Sequence, residues 1–164
     1  MLESTLGAGT SIRLLFPVAA DPQQPCQTLP EGVPDAPAAA GERETILIVD
    51  DEEMIRTLSV AMLEAFGYET LVATDGEKAL EIFRSEGSRI SLVLLDQSMP
   101  TMDGLEVFKQ MRRIRPEVKV LLASGFSEQE VSARYRGLGL NGFIQKPFNV
   151  KHLSDEVLRV LQKT

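Results

Sequence analysis

The stretch Thr45-Ile46-Leu47-Ile48-Val49-Asp50-Asp51 decides the fold class of this chain. Its apolar run from Ile46 to Val49 is too short for a helix and predicts a strand that is buried on both faces. Strands buried on both faces are typical of parallel sheets, in which a crossover, usually a helix, joins one strand to the next. Two aspartates stand at the carboxyl end of this strand.

Further apolar runs follow toward the carboxyl terminus, and amphipathic stretches separate them. The runs predict strands at Thr70–Ala73, Leu92–Leu95, Val118–Leu122 and Gly142–Ile144. A helix is expected after each strand; the first ends at Gly67 and the last is capped by Asn149. The fourth is a short helix from Ser127 to about residue 136. Because right-handed crossovers place helices on both sides of a sheet, these repeats predict an α/β domain over residues 45–164.

The first 44 residues differ in composition from the rest of the chain. Six of the nine prolines lie between positions 17 and 37, and this segment has no hydrophobic periodicity. We therefore predict an extended linker, rich in proline and alanine, at residues 19–44. The lone cysteine, Cys26, lies in this linker and lacks partners for a disulfide or a metal cluster.

Charge and hydropathy disfavour several classes of function. The chain has 17 basic and 24 acidic residues and a net charge of −7, whereas nucleic-acid binding needs a basic surface. No apolar run is long enough to cross a bilayer and no signal peptide opens the chain, so we expect no membrane contact by this segment. Together with the single cysteine, these features favour the reducing cytoplasm.

Polar side chains stand at or just beyond the ends of the predicted strands. They are Asp50 and Asp51 after the first strand, Asp96 after the third, Ser124 after the fourth and Lys146 after the fifth. The carboxyl ends of parallel strands meet at one rim, where doubly wound sheets bind their ligands. Three converging carboxylates repel one another and favour a bound cation, for which Mg²⁺ is the natural choice. A carboxylate nucleophile, a divalent ion, an ammonium group and a hydroxyl indicate phosphoryl transfer through an acyl phosphate.

Short motifs in the chain carry these residues in a recognisable order. They are Ile48-Val49-Asp50-Asp51, Leu94-Leu95-Asp96-Gln97-Ser98-Met99-Pro100-Thr101-Met102-Asp103-Gly104, Leu122-Ala123-Ser124-Gly125 and Lys146-Pro147-Phe148. In this order they resemble the receiver domain of response regulators in two-component signalling, over residues 45–164. The resemblance implies a flavodoxin-like, doubly wound sheet of five parallel strands in the order 2-1-3-4-5, with helices on both faces. It also implies a phosphohistidine donor on a histidine kinase or a histidine phosphotransfer domain.

The same resemblance implies the roles of the acidic and basic residues at the rim. Asp96 is the expected phosphoacceptor. Asp51, Asp96 and the backbone carbonyl of Ser98 are expected to bind Mg²⁺ directly, while Asp50 holds water ligands of the metal. Lys146 is expected to pair with the phosphoryl oxygens, and its peptide bond to Pro147 is expected to be cis.

Further residues beside the rim are expected to respond to the phosphoryl group or to tune its lifetime. Ser124 is expected to contact the phosphoryl oxygens and to form a switch with Phe143. Ser98 and Phe126 are expected to set the rate at which water hydrolyses the acyl phosphate. The surface of the fourth helix, fifth strand and fifth helix is the expected output of this switch and a candidate homodimer interface.

Other interpretations of these residues stay open at this stage. Asp50 and Asp51 could cap the following helix, Ser124 could be an ordinary loop hydroxyl and Phe143 could be plain core. As an alternative function, the domain could be a docking module that is never phosphorylated, although such degenerate receivers lose acidic or lysine residues that are retained here. A Mg²⁺-dependent phosphatase with an aspartate nucleophile would need a second aspartate at position 98.

The amino-terminal residues carry a second resemblance. Gly7-Ala8-Gly9 precedes Ile12, Leu14 and Phe16, which alternate as in a strand, although a generic turn before a strand also fits. The order resembles the last glycine box and final strand of a histidine kinase ATP-binding domain, here residues 1–18. With the linker and the receiver, it implies origin in a hybrid histidine kinase. We expect no kinase activity from this chain and no DNA-binding domain after its last helix.

Overall fold

The structure is a computed structural model that describes residues 43–163 and, nearer the amino terminus, the backbone of two short strands. These are β1 (Leu2–Thr5) and β2 (Gly9–Ile12), which pair in antiparallel fashion. The chain divides into two units, residues 1–35 and 36–164. The predicted strand around Ile12 therefore begins at Gly9 and pairs with β1, whereas Leu14, Phe16 and Cys26 lie outside the described residues.

The second unit alternates strands with helices along the chain. Its strands are β3 (Thr45–Val49), β4 (Glu69–Ala73), β5 (Ile90–Asp96), β6 (Val120–Ser124) and β7 (Gly142–Gln145). Its helices are α1 (Glu53–Ala65), α2 (Gly76–Glu86), α3 (Gly104–Ile114), α4 (Glu128–Arg134) and α5 (Val150–Gln162). The strands are parallel and lie in the order β4-β3-β5-β6-β7, which confirms the predicted order 2-1-3-4-5.

Alternating side chains of the central strands fill the core on both faces of the sheet. On β3, Leu47 and Val49 pack with residues of α2, α3 and α4, whereas Ile46 and Ile48 pack with residues of α1 and α5. All the residues of β3 are buried, whereas β4, at the edge of the sheet, is largely exposed or half-buried. The continuous apolar run that begins the domain is therefore explained by burial on both faces.

Local signals set the ends of most helices. The side chains of Asp75, Asp103 and Asn149 accept hydrogen bonds from the first backbone N–H groups of α2, α3 and α5. Gly67 takes a positive φ of +86° just after α1, as expected of a residue that ends a helix. The predicted cap at Asn149 and the predicted stop at Gly67 are thus confirmed.

The fourth strand and fourth helix differ from the sequence prediction. The predicted strand began at Val118, but the N–H of Val118 donates to the carbonyl of Arg115 in a turn, so the strand begins at Val120. Val118 is apolar because it is fully buried in the core and not because it belongs to the strand. Likewise α4 ends at Arg134, before Gly137 takes a positive φ of +76°.

The helices between residues 43 and 163 are short. The longest are α1 and α5, with 13 residues each. None of them is long and apolar enough to cross a membrane.

Candidate functional site

The parallel register brings the predicted acidic residues together at one rim of the sheet. Val49 of β3 is paired with Leu95 of β5, so the next residues, Asp50 and Asp96, lie side by side. Asp96 is the last residue of its strand, and both aspartates are buried. With the exposed Asp51, they place carboxylate oxygens within 4.8 Å of one another. The convergence predicted from the sequence is therefore present.

Lys146 extends from the end of β7 into this acidic cluster. Its Nζ lies 2.7 Å from Oδ2 of Asp50 and 2.9 Å from Oδ1 of Asp96. The peptide bond between Lys146 and Pro147 is cis, as predicted. The backbone N–H of Lys146 donates to the carbonyl of Ser124 at 2.8 Å, which holds the end of β7 against the end of β6. Two buried aspartates and a half-buried lysine from distant parts of the chain thus form one group.

The charges of this group are unbalanced. Asp50, Asp51 and Asp96 bring three carboxylates against the single ammonium of Lys146, a surplus of about two negative charges when all are ionised. Burial raises the pKa of the Asp96 carboxyl, and the nearby carboxylates of Asp50 and Asp51 raise it further, although the ammonium of Lys146 opposes both. Burial by itself would lower the pKa of Lys146, but hydrogen bonds to Asp50 and Asp96 outweigh it and raise that pKa. A further cation would relieve the repulsion that remains.

Backbone contacts fix the orientation of Asp50. Its Oδ1 accepts a hydrogen bond from the backbone N–H of Glu52 at 2.9 Å, and its carbonyl accepts one from the Arg56 side chain at 2.8 Å. The N-cap position of α1 is occupied by Glu52, with no capping hydrogen bond from its side chain. The interpretation of Asp50 and Asp51 as helix caps is therefore wrong. The sequence analysis did not identify the contribution of Arg56.

Ser124 lies next to this group. It is the last residue of β6, whereas the sequence analysis placed it after the strand. It is almost fully buried, and its Oγ accepts a hydrogen bond from the backbone N–H of Phe126 at 3.0 Å. Phe126 itself is half exposed. Phe143 is partly buried and packs against the core cluster of α2, α3 and α4, whereas Ser98 is exposed two residues after Asp96. The structure thus brings Ser124, Phe126 and Ser98 to the rim.

Gly104 contributes to the site in a way that the sequence analysis did not identify. A Cβ atom at this position would lie 2.4 Å from the carbonyl oxygen of Asp96 and 2.9 Å from Cα of Gln97. The backbone N–H of Gly104 also donates to the carbonyl of Gln97 at 3.0 Å. The Asp-Gly pair at the start of α3 could have suggested a close approach of two backbones.

The donor set fits a magnesium ion. Its side-chain donors are carboxylate oxygens, the ligands that Mg²⁺ prefers, and no histidine or cysteine takes part. Mg²⁺ commonly binds through a few carboxylates and completes its shell with water and phosphate oxygens. The surplus of negative charge on the aspartates also suits a divalent cation.

Comparison with known proteins agrees with this geometry. The family described as "Response regulator receiver domain" matches residues 46–158 of the chain. The chain is a member of the receiver domain family. Sporulation initiation phosphotransferase F of Bacillus subtilis is 36% identical over 118 residues, which cover 72% of this chain and 94% of that protein.

Other relatives are longer proteins or complexes. Sensor kinase CckA of Brucella abortus is 30% identical over 172 residues, which cover 98% of this chain but only 17% of that protein. Among solved structures, a chain of the CheX–CheY–BeF3–Mg complex from Borrelia burgdorferi superposes with a TM-score of 0.70 at 25% identity, covering 73% of this chain and 90% of that one. Receiver domains bind Mg²⁺ at the acidic pocket that Asp50, Asp51 and Asp96 form here.

Proposed function

We propose that Asp96 accepts a phosphoryl group from a phosphohistidine of a partner protein, in a Mg²⁺-dependent two-component phosphorelay. The observation that carries this proposal is the contact of Lys146 with Asp96 inside a cluster of three aspartates. A structural ion pair would need one carboxylate for one ammonium. The additional carboxylates are explained if the site also holds a divalent cation and a phosphoryl group.

Each residue then contributes a defined part of the reaction. An oxygen of the Asp96 carboxylate attacks the phosphorus in line, the bond from phosphorus to the histidine nitrogen breaks, and the electron pair leaves with the imidazole. Lys146 neutralises charge on the transferred oxygens, from the position in which it now contacts Asp96. Asp51, Asp96 and the carbonyl of Ser98 would hold Mg²⁺, with Asp50 on its water ligands, and the bound ion would supply further charge neutralisation.

Signal output starts from the new charge at Asp96, about −1.5 to −2 for a phosphorylated side chain. Ser124 then donates its hydroxyl hydrogen to the phosphoryl group; the hydrogen bond that its oxygen accepts from the N–H of Phe126 supports this role, because it leaves the hydroxyl hydrogen available. Movement of Ser124 would open space for Phe143 and alter the surface formed by α4, β7 and α5. Ser98 and Phe126, exposed beside the site, set how readily water reaches the acyl phosphate.

The central assignment is tested by labelling with a small acyl phosphate donor, such as acetyl phosphate, in the presence of Mg²⁺. Asp96→Asn should abolish incorporation, measured by mass spectrometry of the intact protein, because the amide is a poor nucleophile. Asp155→Asn, which changes an exposed aspartate of α5, is the matched control and should be labelled like the wild type. Undiminished labelling of Asp96→Asn would exclude Asp96 as the acceptor.

The same assay separates the other candidate functions. A docking module that is never phosphorylated would leave the wild type unlabelled at all Mg²⁺ concentrations. A phosphatase with an aspartate nucleophile would turn over phosphomonoesters many times without accumulating the acyl phosphate. A receiver domain should accumulate one stable label per chain, and removal of Mg²⁺ with a chelator should prevent it.

We further propose that residues 1–18 are the end of a kinase ATP-binding domain and residues 19–44 a linker, so that the receiver at residues 45–164 comes from a hybrid kinase. The alignment with sensor kinase CckA, which covers 98% of the chain, supports this because it extends well beyond the receiver. The coding sequence upstream of Met1 tests the proposal. A kinase core in frame there would support it, and an unrelated sequence would contradict it.

Partners follow from the same proposal. A histidine kinase or a histidine phosphotransfer domain is the expected donor or acceptor, in the cytoplasm, and neither nucleic acid nor membrane is an expected partner of this acidic segment. We also propose homodimerisation through α4, β7 and α5, which sedimentation tests. A mass that doubles only with Mg²⁺ and beryllofluoride, a phosphoryl analogue, would support it.

A further inference from the structure

Two buried polar atoms near the phosphorylation site lack hydrogen-bond partners. Within residues 43–163 these are Oε1 of Gln97 and the hydroxyl of Tyr135, in residues that are 2% and 3% exposed. The other two such atoms in this range are arginine Nε atoms, whose guanidinium groups already donate to backbone carbonyls. Buried polar groups are rarely left without partners, because each then loses its hydrogen bonds to water without replacement.

The backbone of Gln97 and the ring of Tyr135 both lie against α3. The backbone of Gln97 packs against Gly104, as the 2.9 Å approach of a Gly104 Cβ to its Cα shows. The ring of Tyr135 packs edge-on against Phe108, with 5.7 Å between the ring centroids. Gly104 and Phe108 are four residues apart and therefore neighbours on one face of the helix. The backbone of Gln97 and the ring of Tyr135 thus contact α3 at points one helical turn apart.

The tyrosine hydroxyl also lies in an acidic environment. Burial raises the pKa of Tyr135, and the carboxylates of Asp103 and Asp96 raise it further, although the guanidinium of Arg134 opposes them. Asp103 stands at the start of α3, the end that is closest to Gln97. Arg134, the neighbour of Tyr135, pairs with Asp103 at 2.5 Å and so holds the end of α4 against the start of α3.

We propose that the Tyr135 hydroxyl donates a hydrogen bond to Oε1 of Gln97 when Asp96 carries a phosphoryl group, so that the position of α4 is coupled to the acyl phosphate. This inference rests on the function proposed above. It makes Gln97 and Tyr135 positioning residues, since neither touches the reacting atoms.

The path from the phosphoryl group to Tyr135 runs through α4. The Oγ of Ser124 accepts a hydrogen bond from the backbone N–H of Phe126. The next residue, Ser127, forms a capping box with Glu130 at the start of α4. A shift of Ser124 toward the phosphoryl group therefore displaces the start of α4. Val131 is the only buried residue within this helix, so the start of α4, unlike its end at Arg134, can move with little loss of packing. Tyr135 follows directly at the end of the helix.

The test measures the apparent affinity of the whole chain for beryllofluoride at saturating Mg²⁺, from its effect on the melting temperature. Tyr135→Phe removes only the hydroxyl, and Gln97→Met removes the amide while keeping similar volume. Each should weaken the affinity roughly two- to tenfold, the effect of one net hydrogen bond. The double variant should lose no more than either single variant, because both changes remove the same bond.

The unliganded variants provide a second readout. Without beryllofluoride, Tyr135→Phe should melt at the wild-type temperature or above, because it removes a buried hydroxyl that has no partner. Tyr68→Phe, which changes the other tyrosine of the chain, is the matched control and should leave the affinity unchanged.

The outcomes are distinguishable. Unchanged affinity in Tyr135→Phe, additive losses in the double variant, or a lower melting temperature without beryllofluoride would each overturn the Gln97–Tyr135 bond. Failure of the wild type itself to respond to Mg²⁺ and beryllofluoride would instead contradict the proposed function.

Discussion

The two rims of the sheet hold the same kinds of charged group in different surroundings. At the carboxyl ends of the strands, Lys146 contacts Asp50 and Asp96 at 2.7 and 2.9 Å. At the amino ends, Arg89 contacts Glu69 and Glu86 at the same two distances. The side chains of the first group are 6–19% exposed, whereas those of the second are 39–52% exposed.

Distance between charges therefore does not distinguish a site from a surface ion pair in this protein. Burial does, because solvent screens the exposed pairs, while charges at the carboxyl rim act in a medium of low effective dielectric constant. The excess of carboxylates over cations at the buried rim also marks it as a site, because it favours the binding of a cation.

The largest effect is expected from Lys146→Met. Without Mg²⁺ it should lower the free energy of unfolding by about 3 kcal/mol, because it leaves buried carboxylates without their cation. Added Mg²⁺ should restore part of this loss by neutralising the same carboxylates. Chemical denaturation with chelator and with Mg²⁺ measures both values. Lys151→Met, at an exposed position of α5, is the control, and equal stability of the two variants would contradict the contrast between buried and exposed charge.

Gly104→Ala is expected to have the next largest effect. The added Cβ would lie 2.4 Å from the carbonyl oxygen of Asp96, so the backbone that carries the phosphoacceptor must shift. We expect a loss of about 2 kcal/mol, as for an overpacked core, together with slower phosphorylation by acetyl phosphate. Gly125→Ala meets no atom within 4 Å and should remain close to wild type in stability. Wild-type stability and labelling of Gly104→Ala would disprove the close approach.

A smaller effect is expected from Asp75→Ala, which removes the cap of α2. The carboxylate accepts from the N–H of Lys78 at 2.8 Å, and losing such a cap costs about 1 kcal/mol. That hydrogen bond also lowers the pKa of Asp75, so its contribution is complete well above pH 3.8 and is lost as the pH falls through the folded-state pKa. Thermal melts at neutral and acidic pH should therefore converge for wild type and variant. Arg84→Ala on the same helix should show no such pH dependence.

The smallest effect is expected from Arg89→Ala at the amino rim. Arg89 and its partners are exposed, so its removal should leave the free energy of unfolding unchanged within error at physiological salt. A difference that appears only at low ionic strength would agree with screening. A loss as large as that of Lys146→Met, measured by the same denaturation experiment, would show that burial is not what separates the two rims.

Much of the fold could be predicted because the chain signals it locally. Apolar runs such as Ile46–Val49 and stops such as Gly67 are properties of a few neighbouring residues. The acidic and basic residues of the site were found because they follow such runs directly. The start of β6 was not predicted correctly, because Val118 is as apolar as a strand residue but lies in a turn and is buried in the core.

The strand–helix alternation, the order of the motifs and the chemical types at the strand ends are therefore encoded locally, because they depend on periodicity and spacing along the chain. Tertiary packing set the bonds of Lys146 to two aspartates, the contact of Gly104 with the carbonyl of Asp96, and the burial of Gln97 and Tyr135. The physical reason is that these contacts join residues distant in the chain. They depend on which strands are neighbours, on the register of those strands and on the position of each helix against the sheet. No short segment of the chain encodes any of these.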